Sequence, residues 1–401
     1  MEPTTPSRAR HTRGVLVSLC LALLAGACSV PTDVRQRETV AREPAAGEST
    51  QAAAGEKTFE GGTLLDRMSV REMVGQMFVV SVGGTEPDYY IEKMVRERNI
   101  GGVILFGYNM ESRAQVASLT SSLQELSLRT EPAVPLLVAV DQEGGEIASA
   151  PWVAPEPPAA EIGARGDPAE ARAVSERIGT QLLEAGVNTN FAPVVDTGFG
   201  AAIGERSYGE DPVLVSSMGA ASVEGFEAAG IASSAKHFPN HGPATIDSHE
   251  RLPVVDHDAR TIRTFDLPPF RAAVEAGVPM VMLGHLLYPA VDAEKPASLS
   301  ARWIGVLRED LGFKGVVVTD DLAMDGVSGG GPPAEAAVAA VGAGADMLVV
   351  SNPPQEQADA YDAVVAAVES GEIPEEQIQT SVRRVLQIKE TYGFASGARI
   401  R

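Results

Sequence analysis

The chain has 401 residues, a formal net charge of −22 and two cysteines, Cys20 and Cys28. The body after Cys28 therefore has no disulfides, thiolate metal sites or cysteine nucleophile, and a strongly acidic balance argues against nucleic acid as a partner. The stretch beyond residue 61 is long enough to bury a large core.

At the N-terminus, Arg8, Arg10 and Arg13 precede an apolar run over 15–24 and then Ala25-Gly26-Ala27-Cys28. A basic region, a hydrophobic stretch and small residues in that order make a secretory signal. The run is too short to span a bilayer as a permanent helix. A cysteine after Ala-Gly-Ala is similar to a bacterial lipobox, whose cysteine is lipidated and becomes the first mature residue; the customary leucine stands one place further back, as Leu24. A plain cleaved signal with a chance cysteine is the alternative. From Ser29 to about Glu60, Pro, Ala, Gly, Glu, Thr and Arg alternate without apolar periodicity, the composition of a disordered tether. The expected organisation is a signal peptide over 1–27, a tether over 28–61, one domain over 62–392 and a tail over 393–401. The expected location is exported, lipid-anchored through Cys28 to the outer face of the cell membrane, or secreted.

Within the body, apolar strand-like runs fall at 76–82, 102–106, 135–141, 189–196, 231–237, 278–285, 315–320 and 345–351. Segments with helical spacing lie between them, at 114–126, 170–184, 213–228, 261–276, 334–343 and 355–369, and a last amphipathic helix runs over 374–389. Strands that are nearly continuously apolar and alternate with helices predict an α/β protein with a parallel sheet covered by helices. Eight such repeats suit a closed (β/α)8 TIM-like barrel. The alternative is an open doubly wound sheet, but no Gly-x-Gly-x-x-Gly follows the first strand.

Polar residues concentrate at the C-terminal ends of the predicted strands: Asp141, Asp196, Lys236 with His237, His285 and Asp320. A barrel gathers those ends around one mouth. The densest stretch begins at Lys236-His237-Phe238-Pro239-Asn240-His241-Gly242 and continues, four residues later, with Asp247-Ser248-His249. It puts three of the six histidines within 236–249. Gly, Pro and Asn make it a loop leaving a strand end, and a loop dense in titratable groups there is a site candidate.

Three β-branched residues, Val316, Val317 and Val318, lead through Thr319 into Asp320. That carboxylate can serve as nucleophile, base or metal ligand; it is preferred over Asp321, which can cap the next segment. Asp247 and His249 lie two apart, so a turn between them can join carboxylate to imidazole. Such a contact fixes the tautomer and raises the basicity of the other nitrogen. An acid/base dyad plus a separate carboxylate is what a retaining glycosidase needs, although its usual acid is itself a carboxylate. Lys236, His237 and Arg206, the last in Ile203-Gly204-Glu205-Arg206-Ser207-Tyr208-Gly209, make a polyol-binding set. Zinc is the rival: His237, His241, His249 and Asp247 are possible ligands, but Pro239 and Gly242 argue against the helix that the His237/His241 spacing needs.

Together these residues resemble glycoside hydrolase family 3, specifically its NagZ-type β-N-acetylglucosaminidases. The family pattern Lys-His-Phe/Ser-Pro-Gly-His/Asp-Gly, four residues, Asp-Ser/Thr-His recurs with one departure, Asn240 for Gly. DQEGG at 141–145, NFAPVVD at 190–196 and TDDLAM at 319–324 extend the resemblance over the whole body, and the N-terminus is similar to that of actinobacterial lipoprotein members. The resemblance implies a retaining exo-β-N-acetylglucosaminidase (β-N-acetylhexosaminidase) without a cofactor or metal. Asp320 would be the nucleophile and His249 the acid/base, assisted by Asp247. Asp141, Arg206, Lys236 and His237 would hold the terminal N-acetylglucosamine, with His285 near the same pocket and His241 structuring the loop. The implied partner is a carbohydrate, GlcNAc-containing muropeptides or disaccharides from the cell wall. No nucleic acid partner is expected, membrane contact only through the lipid anchor, and a monomer. Phosphorolysis on the same site and a catalytically weak sugar-binding lipoprotein are the alternatives. A second departure bears on the latter. The family continues DQEGG with Arg-Val-x-Arg, whose second arginine contacts the sugar, and here Glu146, Ile147, Ala148 and Ser149 stand in those places. Loss of a buried charged donor costs about 1.5–3 kcal/mol if nothing replaces it.

Overall fold

The computed structural model describes residues 64–328, 331–351 and 353–392. The signal, the tether, Cys28 and the tail lie outside the described residues. Eight parallel strands close into a barrel in the order β1 (Phe78–Ser81), β2 (Gly102–Ile104), β3 (Leu137–Val140), β6 (Thr189–Asn190), β7 (Ala232–Phe238), β8 (Met280–Leu283), β9 (Val316–Asp321) and β10 (Met347–Val350), which pairs back to β1. Each falls inside or beside one predicted run, and the α/β (β/α)8 TIM-like barrel is the observed architecture. A two-stranded hairpin, β4 (Gln142–Gly144) with β5 (Ile147–Ala148), interrupts the alternation at the end of β3.

Alternation along the strands divides the apolar residues between two layers. Inward residues, among them Val79, Ile104, Ala139, Phe191, Met282, Val318 and Val349, fill the barrel. Outward residues join the helices in a second, larger cluster. The last helix, Glu375–Thr391, contributes Val385 and Ile388 to the inner cluster. Its Lys389 bonds Gln76 Oε1 at 2.7 Å, just before β1, so this helix packs at the N-terminal end of the barrel.

The predicted strand over 189–196 forms only two ladder residues. Pro193 has no N–H to donate, and pairing resumes at an isolated bridge between Val194 and Lys236. Irregular backbone bonds continue beyond the ladder, Ser234 N to the Ala192 carbonyl and Lys236 N to the Pro193 carbonyl among them, and side-chain amides reinforce the join to β3. Asn190 accepts from the Gln142 N–H at 3.0 Å and donates to its carbonyl at 2.9 Å. Asn188 does the same for Val138 N–H (2.7 Å) and Leu136 carbonyl (3.0 Å). The predicted helix over 261–276 is likewise broken, into a short turn, a wide-pitched turn over Ile262–Asp266 and a helix over Pro268–Glu275.

Candidate active site

Three strand ends on one side of the mouth meet in a charge cluster. Lys236, at the end of β7 and buried, places Nζ 2.5 Å from Asp141 Oδ1 and 2.7 Å from Glu143 Oε1. Arg206 grips the same Glu143 with two bonds of 2.8 Å and donates a third, of 2.9 Å, to the Ala202 carbonyl. Burial pushes the Glu143 carboxyl up, but the Lys236 ammonium and the Arg206 guanidinium outweigh it and hold the pKa at about 2. Burial opposes the Lys236 charge too, yet Asp141 and Glu143 raise its pKa above the ordinary lysine value. Two cations and two carboxylates thus compensate each other before any ligand arrives.

Glu143 is the member that sequence reasoning misses. A signal for it exists: two cations at strand ends need a buried counter-charge, and DQEGG supplies a second carboxylate beside Asp141. The hairpin that aims it inward turns on Gly144 and Gly145, both at positive φ (98° and 56°). A Cβ on Gly144 would stand 2.8 Å from the Pro157 carbonyl. Ser149 ends up half-buried behind this hairpin and Glu146 exposed, so the segment that departs from the family pattern contributes no cation of its own.

The β7 loop is organised around Asp196. That buried carboxylate accepts from His237 N (3.0 Å), His237 Nδ1 (2.8 Å) and His241 N (2.6 Å). Burial raises its pKa to about 6 against the lowering effect of His241 and these N–H groups. Burial, reinforced by the Arg206 charge, lowers the His237 pKa well below the ordinary value. The imidazole is therefore neutral, with its proton on Nδ1 toward Asp196 and a lone pair on Nε2. Asn240, in place of the family glycine, is fully buried and fixes the turn. Its amide oxygen accepts from Thr197 N (2.9 Å) and Gly242 N (3.0 Å), and its nitrogen donates to Asp266 Oδ1 (2.8 Å), which His257 Nδ1 meets from the other side at 2.9 Å. Beneath the loop, Phe238 packs edge-on against Phe270 and Trp303.

Across the barrel, β9 delivers Asp320. Burial pushes its carboxyl up, but the His237 and His285 rings when protonated, the Asp321 backbone N–H and the Lys236 ammonium outweigh it and hold the pKa at about 2. Asp321 plays a different part. Its Oδ1 accepts from Ala323 N and Ser351 N, both at 3.0 Å, and so caps the turn after the strand. His285, expected beside the sugar pocket, has both ring nitrogens engaged within the protein, Nδ1 with Ser298 Oγ at 2.8 Å and Nε2 with the Asp321 carbonyl at 2.9 Å. Burial lowers its pKa, and the neutral ring braces the Asp320–Asp321 turn.

Asp247 and His249 do join. Asp247 Oδ1 accepts from the His249 backbone N–H at 2.9 Å and meets His249 Nδ1 at 2.7 Å. The imidazole is 66% exposed, on a loop outside the charge cluster. Two bonds tie that loop down: Gly326 N donates to the Ser248 carbonyl (3.0 Å), and Ser248 Oγ meets His241 Nε2 (2.9 Å). Gly326 lies in the short helix Asp325–Ser328, five residues beyond the end of β9, so the dyad is fastened to the stretch that follows Asp320. A Cβ on Gly326 would lie 2.2 Å from the Ser248 carbonyl oxygen. Because His237, His241 and His249 each face a different partner, no group of three or more His, Cys, Asp or Glu among the described residues is arranged to hold a metal ion.

The chain is similar to known proteins of one family. The profile of the "Glycosyl hydrolase family 3 N terminal domain" matches residues 69–388. A protein of Pseudoalteromonas piscicida named Beta-hexosaminidase A is 36% identical over 327 residues, 75% of this chain and 54% of its own length. A Beta-hexosaminidase of Stenotrophomonas maltophilia is 38% identical over 287 residues, covering 69% of this chain and 84% of its own. Among solved structures, a glycoside hydrolase family 3 beta-N-acetylglucosaminidase from Paenibacillus superposes with a TM-score of 0.81 at 40% identity, over 83% of this chain and 64% of that one. The chain thus spans less than two thirds of the Pseudoalteromonas and Paenibacillus proteins. With the matched region covering the barrel and every strand end that builds the site, the chain belongs to glycosyl hydrolase family 3.

Proposed function

We propose that the protein is a retaining exo-β-N-acetylglucosaminidase that removes terminal β-linked GlcNAc from cell-wall fragments. One observation carries this reading. A carboxylate, Asp320, ends a barrel strand, and a carboxylate–imidazole dyad is fastened to the segment after it. In the first step Asp320 attacks the anomeric carbon, while His249 gives its proton to the departing glycosidic oxygen. In the second, His249 takes a proton from water, which attacks the glycosyl-aspartate and releases the sugar with retained configuration. His249 thus starts as the imidazolium, is neutral in the glycosyl-enzyme and returns to the imidazolium; Asp247 orients the ring throughout and stabilises the charge that the second step restores. Asp141, Lys236, Arg206 and His237 form the polar wall that orients the terminal sugar. The names of the relatives support the GlcNAc specificity; the cell-wall context rests on the family resemblance alone.

The test is an aryl β-GlcNAc substrate with wild type and Asp320→Asn. We expect kcat to fall by at least about 10³-fold, since a neutral amide cannot form the covalent intermediate; equal activity in the two would reject Asp320 as nucleophile. Phosphorolysis is the second reading, favoured by the exposed imidazole that takes the place of a carboxylate acid/base and repels an anion less. GlcNAc 1-phosphate as the sole product in phosphate buffer would establish it in place of hydrolysis. The N-terminal segment supports export and lipid attachment at Cys28, which the mass of the mature N-terminus checks.

A further inference from the structure

Among the described residues the exposed aromatic side chains are Tyr89 (67%), Tyr90 (54%), Tyr108 (52%) and Phe199 (50%). All four follow the C-terminal end of a strand. Tyr89 and Tyr90 open the helix after the β1 loop, Tyr108 stands in the turn after β2, and Phe199 follows β6. The exposed aromatics therefore share the face that carries Asp320 and the charge cluster, and none lies at the opposite end.

Three of them sit on one rim, which is built rather than loose. Asn109 Nδ2 donates to the Val82 and Gly84 carbonyls at 2.9 and 2.8 Å, and Gln115 Nε2 donates to the Thr85 carbonyl at 2.7 Å. The β1 and β2 loops are thus stitched together. Tyr108 stacks on Phe106 with ring centres 5.7 Å apart and planes 24° apart. Phe106 in turn packs on the inner barrel cluster. Tyr89 and Tyr90 meet edge to face at 5.7 Å. Phe106 and Tyr108 thus lead from the barrel interior to solvent at the mouth, and Tyr89 and Tyr90 form a second pair on the loop stitched beside them.

Rings of this kind suit pyranose sugars. Their axial C–H faces are apolar and pack on an aromatic face, while their hydroxyl edges stay in water or reach a phenol. The position in the fold says which part of a glycan would meet them. Around the ring of eight strands β1 stands opposite β7, whose loop carries Asp247 and His249. A chain whose terminal unit fills the pocket leaves between that loop and this rim.

We infer that Tyr89, Tyr90 and Tyr108 form a surface that binds the glycan beyond the scissile bond, an oligosaccharide of β-linked GlcNAc-type units rather than a single leaving group. This rests on the β-N-acetylglucosaminidase reading. The test compares an aryl β-GlcNAc with chito-oligosaccharides of increasing length, in wild type and in the Tyr89→Ala, Tyr90→Ala, Tyr108→Ala triple variant. Wild-type kcat/KM should rise about tenfold from dimer to hexamer, as added stacking contacts stabilise the complex. In the triple variant the rise should vanish while kcat on the aryl β-GlcNAc stays within about twofold, since the tyrosines lie away from the reacting atoms, and an unshifted denaturation midpoint certifies the fold. A length profile equal in both proteins overturns the inference. A wild type that cleaves no aryl β-GlcNAc counts against the proposed activity instead. In that event, titrating the hexamer into Asp320→Asn with and without the three substitutions decides the rim by itself: equal affinity overturns it, and affinity lost with the tyrosines supports it.

Discussion

The two sides of the barrel mouth are built on opposite plans. Over β3, β6 and β7 the ionised groups are wholly or partly buried and mutually paired, with Glu143 held between Lys236 and Arg206. The segment that carries Asp247 and His249 instead lies outside, exposed, and fastened through Ser248. The difference teaches how labour is divided. On the proposed reading, a pocket for a neutral sugar gains from donors and acceptors that are already oriented, because reorganising them on binding would cost affinity. A group that must give and take a proton twice needs access to water and a pKa close to the working pH.

Breaking the paired side should have the larger effect. Glu143→Gln leaves two buried cations facing one carboxylate, and removing a partner from a buried ion pair costs about 3–5 kcal/mol. The midpoint of chemical denaturation reads this loss directly; a change below about 1 kcal/mol would mean that water already compensates the cluster, as at an exposed pair. The exposed side should break differently. Gly326→Val forces the Ser248 carbonyl away and shifts the dyad. A displacement of about 1 Å near the reacting atoms costs on the order of 10²-fold in rate, so kcat should fall by that much while KM stays within about twofold. A parallel rise in KM would show that the two sides are not independent.

Much of this plan is legible in the chain because hydrophobic periodicity reports burial. Runs such as 315–320 and 345–351 form β9 and β10, and the polar residues at their ends mark the mouth. Periodicity does not report which polar group meets which. Glu143 escapes it by sitting just beyond a strand, in a hairpin too short to show a period. His285 reads as a ligand group because nothing in its neighbourhood reveals that Ser298 and the Asp321 carbonyl take both its nitrogens. Asn240 looks like a weakness of the motif. The structure gives it Thr197, Gly242 and Asp266 as partners, at separations of two to 43 residues along the chain. The run over 189–196 reads longer than the strand it forms for a local reason in plain sight, Pro193.

The finest contrast lies between two buried carboxylates of the same cluster. Glu143 has two cations and a pKa held at about 2; Asp196 has N–H donors and a neutral imidazole, and a pKa pushed up to about 6. They couple to folding with opposite signs. Glu143 binds its proton less tightly in the folded chain than its ordinary 4.5, so its contribution to stability is present above that pH and is lost as the pH falls toward 2. Asp196 binds its proton more tightly than its ordinary 3.8, so its contribution is complete below that pH and is lost as the pH rises through 6. Asp196→Asn turns an amide nitrogen toward a backbone N–H or the His237 ring, a mismatch worth about 1–3 kcal/mol. Because the amide does not titrate, the stability gap between wild type and variant should be widest below about pH 4 and narrow steadily to pH 6. Denaturation midpoints of both proteins across that range measure it. A gap that stays constant over that range would mean that folding does not raise the Asp196 pKa, and burial would then be outweighed by the N–H groups that the carboxylate accepts from.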